Sequence, residues 1–215
     1  MVNPEEFIRD QLPLAQWPTI ATVLRTAYAA AAAAAKDTPI LQIESAMDNH
    51  GRVVSWAVDT GLKRAVDSGA IKCDYRWRAF AQPTGRYLEL RFPHSTASVS
   101  QVASPLKQPR NVVFRENARL KNQASFDLPE FREEQRVMGL PHFLLVHGHQ
   151  GLSFAHLGVP SSLSAREWTW LSRNIMGMPH EVTSEQPPPE NTDIDFNELN
   201  ILKEEIERWR RDNDD

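Results

Sequence analysis

The stretch that decides the fold is Ile71–Phe92, IKCDYRWRAFAQPTGRYLELRF. Apolar and polar residues alternate along both of its halves, which is typical of strands that bury one face. The segment Pro83-Thr84-Gly85-Arg86 separates the two halves and has the composition of a tight turn, because glycine tolerates the backbone angles that such turns need. The stretch therefore predicts a β-hairpin.

Pairing Gln82 with Tyr87 keeps the apolar and polar faces of this hairpin separate, whereas a slip of one residue would mix them. In this register Arg78 lies opposite Arg91, a like-charge pair that is unfavourable unless Glu89 or a ligand lies between them. The predicted apolar face contains Ile71, Cys73, Tyr75, Trp77, Ala79, Ala81, Leu88, Leu90 and Phe92. The predicted polar face contains Lys72, Asp74, Arg76, Arg78, Phe80, Gln82, Tyr87, Glu89 and Arg91.

Size and composition indicate a globular protein. The chain has 215 residues, of which 41% are hydrophobic, enough for one large domain or two small ones. Its single cysteine, Cys73, excludes an internal disulfide and fits a reducing compartment. The N-terminus lacks the pattern of a secretory signal, and the most apolar window, residues 20–35, is too short to span a bilayer. We therefore expect an intracellular, cytoplasmic protein.

The charge is distributed unevenly along the chain. Residues 51–125 contain thirteen Lys or Arg and five Asp or Glu, whereas residues 126–215 contain eight and seventeen. A basic middle between acidic ends favours an anionic partner for the middle. The alternative, of equal weight, is that the basic middle contacts the acidic C-terminal part within one fold.

The N-terminal half is predicted to be a helical domain that carries the basic hairpin, over residues 1–122. Helical spacing predicts helices over 3–12, Trp17–Ala35 and Arg52–Ser68, with Asp59 and Lys63 spaced to form an ion pair. We expect strands at Ile40–Ile43 and Ser95–Val102. A helix followed by a basic hairpin is also the order found in the second half of a winged helix, which is one alternative for this half. The fold class is therefore α+β, with antiparallel hairpins packed against helices.

The C-terminal half is predicted to contain a second hairpin and two helices. His142–His147 and Leu152–Leu157 are apolar strand candidates around a glycine-containing turn, and a capping-box pattern predicts a helix over Ser164–Met176. The hairpin and this helix make up residues 123–184, which either form a second unit or belong to the first domain. Residues 185–195 predict an acidic, proline-rich linker, and residues 196–215 a C-terminal amphipathic helix.

Four histidines lie within fifteen residues of one another in the second hairpin and suggest a metal site. In the expected register His147 faces Leu152 and His156 faces Phe143, so the two histidines share a face but stand about 13 Å apart. No cysteine or carboxylate in the hairpin completes a zinc site, and turn and core positions explain His142 and His149 better. A histidine-dependent enzyme that uses His147, His149 or His156 is the weakest functional alternative.

The residues Asp74 and Glu89-Leu90-Arg91 are similar to the Asp…Glu-x-Lys metal site of restriction-type nucleases. The expected register places the two carboxylates about 20 Å apart, too far to share one metal ion. The final arginine also has no neutral form available for proton transfer. The sequence thus predicts no catalytic residues, no metal and no cofactor.

The leading functional hypothesis is a non-enzymatic regulatory or accessory protein that binds nucleic acid through its basic hairpin. The residues expected to contact the nucleic acid are Lys63, Arg64, Lys72, Arg76, Arg78, Arg86 and Arg91. The alternative is a protein-interaction subunit, such as an adaptor or an antitoxin-like protein, that binds a partner or itself through the C-terminal helix. The residues expected on that interface are Phe196, Leu199, Leu202, Ile206 and Trp209.

Overall fold

The structure is a computed structural model that describes residues 3–80, 85–127 and 139–178, with the backbone alone at 123–127. The described residues belong to one compact unit, Met1–His180. Its helices are α1 (Pro4–Gln11), α2 (Trp17–Asp37), α3 (Glu44–Met47), α4 (His50–Asp67) and α5 (Val113–Asp127). Its strands are β1 (Asp74–Ala79), β2 (Arg86–Arg91), β3 (Thr96–Val102), β4 (His142–Gly148), β5 (Ala155–Pro160) and β6 (Trp168–Leu171). The expected α+β class is confirmed.

Within the described residues, all six strands join one sheet in the order β1-β2-β3-β4-β5-β6. Neighbouring strands are antiparallel except β3 and β4, which are parallel, and α5 lies in the connection between these two. Parallel neighbours need such a crossover because a short turn cannot bring the chain back to the same end of the sheet. The first hairpin is therefore one side of a continuous sheet, not an isolated wing.

One face of the sheet, called the helical face here, is covered by α1, α2 and α4. Proline in the first turn starts both α1 and α2, and the Asn3 side chain caps α1 by accepting a hydrogen bond from the Glu5 amide at 3.0 Å. Buried side chains from these helices meet alternate residues of β2, β4 and β5 in one core. Among the largest fully buried side chains of this core are Phe143, Ile8, Leu12, Leu24, Leu62, Leu88, Leu145 and Leu157.

The opposite face, called the outer face, carries α5 and a smaller core of Val102, Leu144, Val146 and Phe154. Asn122 attaches α5 to the sheet: its amide donates to the carbonyls of His142 and Pro160, at 2.9 and 3.1 Å, and its Oδ1 accepts from the His142 amide at 2.7 Å. One buried polar side chain thus satisfies the backbone of two strands.

The first hairpin keeps its predicted faces in a different register. Ala79 pairs with Arg86 and Arg76 pairs with Glu89, a shift of four residues from the expected pairing. The pairing closes two residues earlier in the chain than expected, because the last hydrogen bond joins the Phe80 amide to the Gly85 carbonyl at 2.9 Å, whereas the expected closing pair was Gln82 and Tyr87. A shift by an even number of residues preserves the alternation, so the apolar side still faces the helices. The expected Arg78–Arg91 pair is wrong, since Arg78 lies opposite Tyr87.

The second hairpin is shifted by an odd number of residues, which moves one histidine to the other face. His147 pairs with Ala155 and Val146 with His156, because β5 begins only at Ala155 after a long connection. In that connection Gln150 has φ 63°, a left-handed angle that few non-glycine residues adopt. His147 lies on the helical face and His156 on the outer face, so the expectation that they share a face is wrong.

Two further local predictions are wrong. The expected helix over Ser164–Met176 is instead the edge strand β6, followed by a 3-10 helix at Ile175–Gly177. Trp168 and Trp170 pair with β5, and both are partly buried, which favours a strand over the capping-box helix. The expected strand at Ile40–Ile43 is wrong as well, because Pro39–Leu41 forms a 3-10 helix.

A substitution at Gly158 tests the packing of the sheet edge. A Cβ atom at this position would lie 2.5 Å from Cζ3 of Trp168 and 2.9 Å from Cδ1 of Leu171. We expect Gly158→Ala to lower the free energy of unfolding by about 1–3 kcal/mol, because overpacking displaces the β6 side chains. Urea denaturation of the variant and the wild type measures this difference in the free energy of unfolding. Gly177→Ala is the control, since nothing lies within 4 Å of a Cβ there, and equal stability of the two variants would contradict the arrangement.

The predicted linker and C-terminal helix, residues 185–215, lie outside the described residues, and the proposed partner interface on that helix stays a prediction. The tip of the first hairpin, residues 81–84, also lies outside them. None of the helices in the described part of the chain has the length and apolar character needed to cross a membrane.

Candidate nucleic-acid interface

Three arginines of the first hairpin lie together on the outer face. Arg76 and Arg78 on β1 and Arg91 on β2 are exposed there, with 43% and 45% of the first two side chains accessible. Glu89 lies between Arg76 and Arg78: its Oε1 accepts from Arg76 Nε at 2.6 Å, and its Oε2 is 3.6 Å from Arg78 Nε. Asp74, opposite Arg91, is the second carboxylate on this face, so three guanidinium groups meet two carboxylates and the hairpin keeps one excess positive charge there.

Glu89 is itself buried, with only 8% of its side chain accessible. A buried carboxylate must be paired and hydrogen-bonded to remain charged, and Arg76 supplies the shorter of its two ion pairs. Arg76 therefore has a structural role in addition to its surface charge, whereas Arg78 and Arg91 remain more available to a ligand.

Three aromatic rings stack beside these arginines. Tyr87 stacks on Phe80 and on Phe114 of α5, with ring centroids 5.1 and 4.5 Å apart, and Phe80 lies 5.2 Å from Phe114. We call Phe80, Tyr87 and Phe114 the aromatic cluster; each ring is partly exposed. The cluster joins the polar face of the hairpin to the first turn of α5.

Guanidinium groups lie on both sides of the aromatic cluster. Arg78 lies beside the Tyr87 hydroxyl, and although its positive charge lowers the pKa of that hydroxyl, the pKa is raised on balance, chiefly because the group is partly buried. On the other side, the Arg115 guanidinium carbon lies 4.9 Å from the centre of the Phe114 ring. Arginine and aromatic side chains interact favourably at such distances.

Three residues of the predicted nucleic-acid set, Lys63, Arg64 and Arg86, do not join this surface. Lys63 is on α4, where it pairs with Asp67 at 2.8 Å and lies over the Tyr75 ring on the helical side of the sheet. The expected Lys63–Asp59 pair is therefore wrong. Arg64 is exposed on the same helix, and Arg86 alternates with Leu88 and so projects to the helical side. Lys72 is exposed just before β1.

The register also changes the separation of Asp74 and Glu89. Asp74 pairs with Arg91, so it is a diagonal neighbour of Glu89, and the expected separation of about 20 Å is wrong. In the structure Glu89 is held by two arginines, and the described residues contain no group of three or more His, Cys, Asp or Glu arranged to hold a metal.

The histidines of the second hairpin have separate surroundings. Tyr28 donates its hydroxyl proton to the Gly148 carbonyl, so His147 Nδ1 must donate to the Tyr28 oxygen at 2.7 Å. Burial lowers the pKa of His147 to about 4 and raises that of Tyr28 to about 12. His142 contacts the hydroxyls of Thr96 and Ser98 on the outer face, and His149 is exposed in the turn beside Gly51. The structure does not bring His147 and His149 together at one site.

Comparisons with protein-family models, with curated proteins and with solved structures found no match to this chain. Function is therefore inferred from the geometry of the chain itself.

Sequence reasoning missed the aromatic cluster and Arg115. The signal was present in part, because Phe80 and Tyr87 are aromatic residues on an otherwise polar strand face. Phe114 and Arg115 could not be assigned, since the run Val112-Val113-Phe114 fits a strand and a helix equally well.

Proposed function

We propose that the protein binds single-stranded nucleic acid on the outer face of β1, β2 and the first turn of α5. The observation that carries this proposal is the partly exposed aromatic cluster with guanidinium groups on both sides. Bases of any sequence can stack on aromatic rings, with about 1–3 kcal/mol per base, while arginines neutralise the phosphates. A duplex hides its base faces, so this combination favours a single strand.

The charges on the outer face support the same ligand. Arg78 and Arg91 are exposed, and the carboxylate nearest to Arg78 is shared with Arg76. The chain has a net charge of −4, so nonspecific attraction of a polyanion to the whole molecule is disfavoured. Binding must then depend on this local surface, and it should weaken as salt rises.

The test is the affinity for a labelled oligothymidylate of about 20 nucleotides, measured by fluorescence anisotropy between about 50 and 200 mM NaCl. We expect Arg78→Gln combined with Arg91→Gln to weaken binding. It should also reduce the slope of log affinity against log salt by about 1.4, or about 0.7 for each phosphate that the variant no longer neutralises. Arg76 is left in place because it holds the buried Glu89.

The matched control removes the same charge from the other side of the sheet. Lys63→Gln combined with Arg64→Gln should leave both the affinity and the salt slope unchanged, because these residues lie on α4. Absence of binding at the lowest salt concentration, or an equal loss in the two double variants, would refute the proposed interface.

A further inference from the structure

The side of α5 that faces the sheet has an unusual composition. Arg115, Ala118, Arg119 and Asn122 recur at helical spacing, and Ala118 and Asn122 are buried at 8% and 2% exposure. A helix normally presents an apolar stripe to the sheet that it covers, and arginine is rarely buried without a partner. Val113 and Leu120 on the same helix are exposed instead.

Arg115 carries a charge that the described residues do not neutralise. Its terminal nitrogens donate to Ser100 Oγ at 2.9 Å and to the Arg110 carbonyl at 2.8 Å, both uncharged acceptors. Among the described residues no carboxylate forms a salt bridge with it, and burial lowers its pKa to about 10. A guanidinium in such surroundings is stabilised by an anion.

Arg119 adds a second guanidinium nearby. Glu116 accepts a hydrogen bond from it, and the carbonyls of Ser161 and Ser162 accept from its other terminal nitrogen. The Nε atoms of Arg115 and Arg119 are both buried, and neither has an acceptor within the described part of the chain. A buried donor without an acceptor costs about 1–3 kcal/mol, so both guanidinium groups are held in this part of the fold at a cost in stability.

A small pocket lies where these side chains meet. Both arginines line it together with His142 and Asn111, and its volume is about 10 Å³, which admits one oxygen atom. His142 is uncharged there, since burial and the neighbouring cations lower its pKa to about 3. The pocket therefore combines the positive charge of two guanidinium groups with space for one oxygen.

We infer that this pocket binds a phosphate group, with one phosphate oxygen between the two arginines and the others outside the pocket. Guanidinium groups bind phosphate through charge-assisted hydrogen bonds, and a tetrahedral anion offers acceptors in several directions at once. The group could belong to free inorganic phosphate or to the 5′ end of a strand, since Arg115 lies against Phe114 of the aromatic cluster. Binding of free phosphate by the pocket does not depend on the proposed nucleic-acid function. Binding of the 5′ phosphate of a strand rests on that function.

The first experiment titrates the protein with sodium phosphate against sodium chloride of equal ionic strength, by calorimetry and by thermal denaturation. We expect phosphate to bind and to raise the Tm, and Arg115→Gln to reduce the affinity about tenfold or more. Arg110→Gln is the matched control, because it removes a neighbouring exposed guanidinium and should leave the affinity unchanged. Absence of phosphate binding beyond chloride, as expected if the pocket holds only water, would overturn the inference, and so would equal affinity of Arg115→Gln and the wild type.

Arg119→Lys is the second test of the phosphate site, and it is used if Arg115→Gln does not fold. This variant keeps the charge beside Glu116 but lacks the Nε donor and the planar fork, so a phosphate site should again lose about tenfold in affinity. An unchanged affinity in Arg119→Lys would overturn the inference.

A second experiment identifies the source of the phosphate. It compares 5′-phosphorylated with 5′-hydroxyl oligothymidylate on the wild type and on Arg115→Gln. A preference for the phosphorylated strand that Arg115→Gln abolishes assigns the pocket to a strand end, and binding of inorganic phosphate without this preference assigns it to the free anion. If phosphate binds but no oligonucleotide does, the phosphate site is supported and the proposed nucleic-acid function is refuted. If an oligonucleotide binds but phosphate neither binds nor raises the Tm, the nucleic-acid function is supported and the phosphate site is refuted.

Discussion

Asp59→Asn is expected to be more stable than the wild type at pH 8 by about 2–4 kcal/mol, and no more stable than the wild type at pH 4. Asp59 lies on α4 between Ser55, which is hydrogen-bonded to Gln101 on β3, and Lys63, which lies over Tyr75 on β1. Burial raises the pKa of the Asp59 carboxyl from 3.8 to about 7. Above pH 7 the folded protein therefore contains an ionised Asp59 carboxylate in a buried position, and this charge lowers the stability of the fold.

The direction of the pH dependence follows from proton binding. Between pH 4 and pH 7 the folded state binds a proton at Asp59 that the unfolded chain has released, so the stability falls as the pH rises through this range. Asparagine has the same shape as aspartate but does not ionise, so its contribution to the free energy of unfolding does not change with pH. The free energy of unfolding, measured by urea denaturation at several pH values, gives the difference between the two proteins.

Asp67→Asn is the control for Asp59→Asn. Asp67 is on the same helix and forms an exposed ion pair with Lys63, so its loss should change the stability by less than about 1 kcal/mol. If Asp59→Asn is equally stable at pH 4 and pH 8 relative to the wild type, the carboxyl of Asp59 is not desolvated as described.

The second large effect is a loss of stability in acid, caused by two buried neutral histidines. Burial lowers the pKa of His142 to about 3 and that of His147 to about 4, from the ordinary value of 6.5. Below pH 6.5 the unfolded chain binds protons at both residues and the folded protein does not. Each histidine then removes about 1.4 kcal/mol of stability per pH unit, so the two remove about 4 kcal/mol between pH 6.5 and pH 5.

This acid effect is best measured in the Asp59→Asn background. In the wild type, protonation of Asp59 stabilises the folded state over the same range and partly hides the loss. We expect unfolding by urea to show a steep slope of stability against pH in Asp59→Asn, and about half of that slope once His147→Gln is added. His149→Gln, which changes an exposed histidine, is the control. An unaltered slope in the His147→Gln variant would contradict a neutral buried His147.

The predictions from sequence that the structure confirms depend on patterns within single segments. Helical spacing placed α2 and α4, and strict alternation separated the two faces of the first hairpin. The segment Ser95–Val102, which alternates more weakly, is confirmed as β3. These features hold because a strand or helix must bury its apolar side whatever element covers it.

The failures concern pairing between segments. A shift of four residues left the faces of the first hairpin intact but changed the partner of Glu89, and with it the electrostatics of the candidate interface. A shift of three residues in the second hairpin moved His156 to the outer face. The segment around Trp168 carries a good helix-start signal, yet it forms a strand because β5 offers an unpaired edge.

By itself the sequence determined that the chain builds an α+β structure, and that the Ile71–Phe92 hairpin carries arginines on one side and apolar residues on the other. Only the tertiary structure decided that Phe114 and Arg115 of α5 lie beside Tyr87, and that Arg115 and Arg119 meet His142 at one pocket. The physical reason is that alternation and helical spacing are properties of neighbouring residues. Which helix covers which face of the sheet depends on contacts between segments far apart in the chain, and no local pattern encodes them.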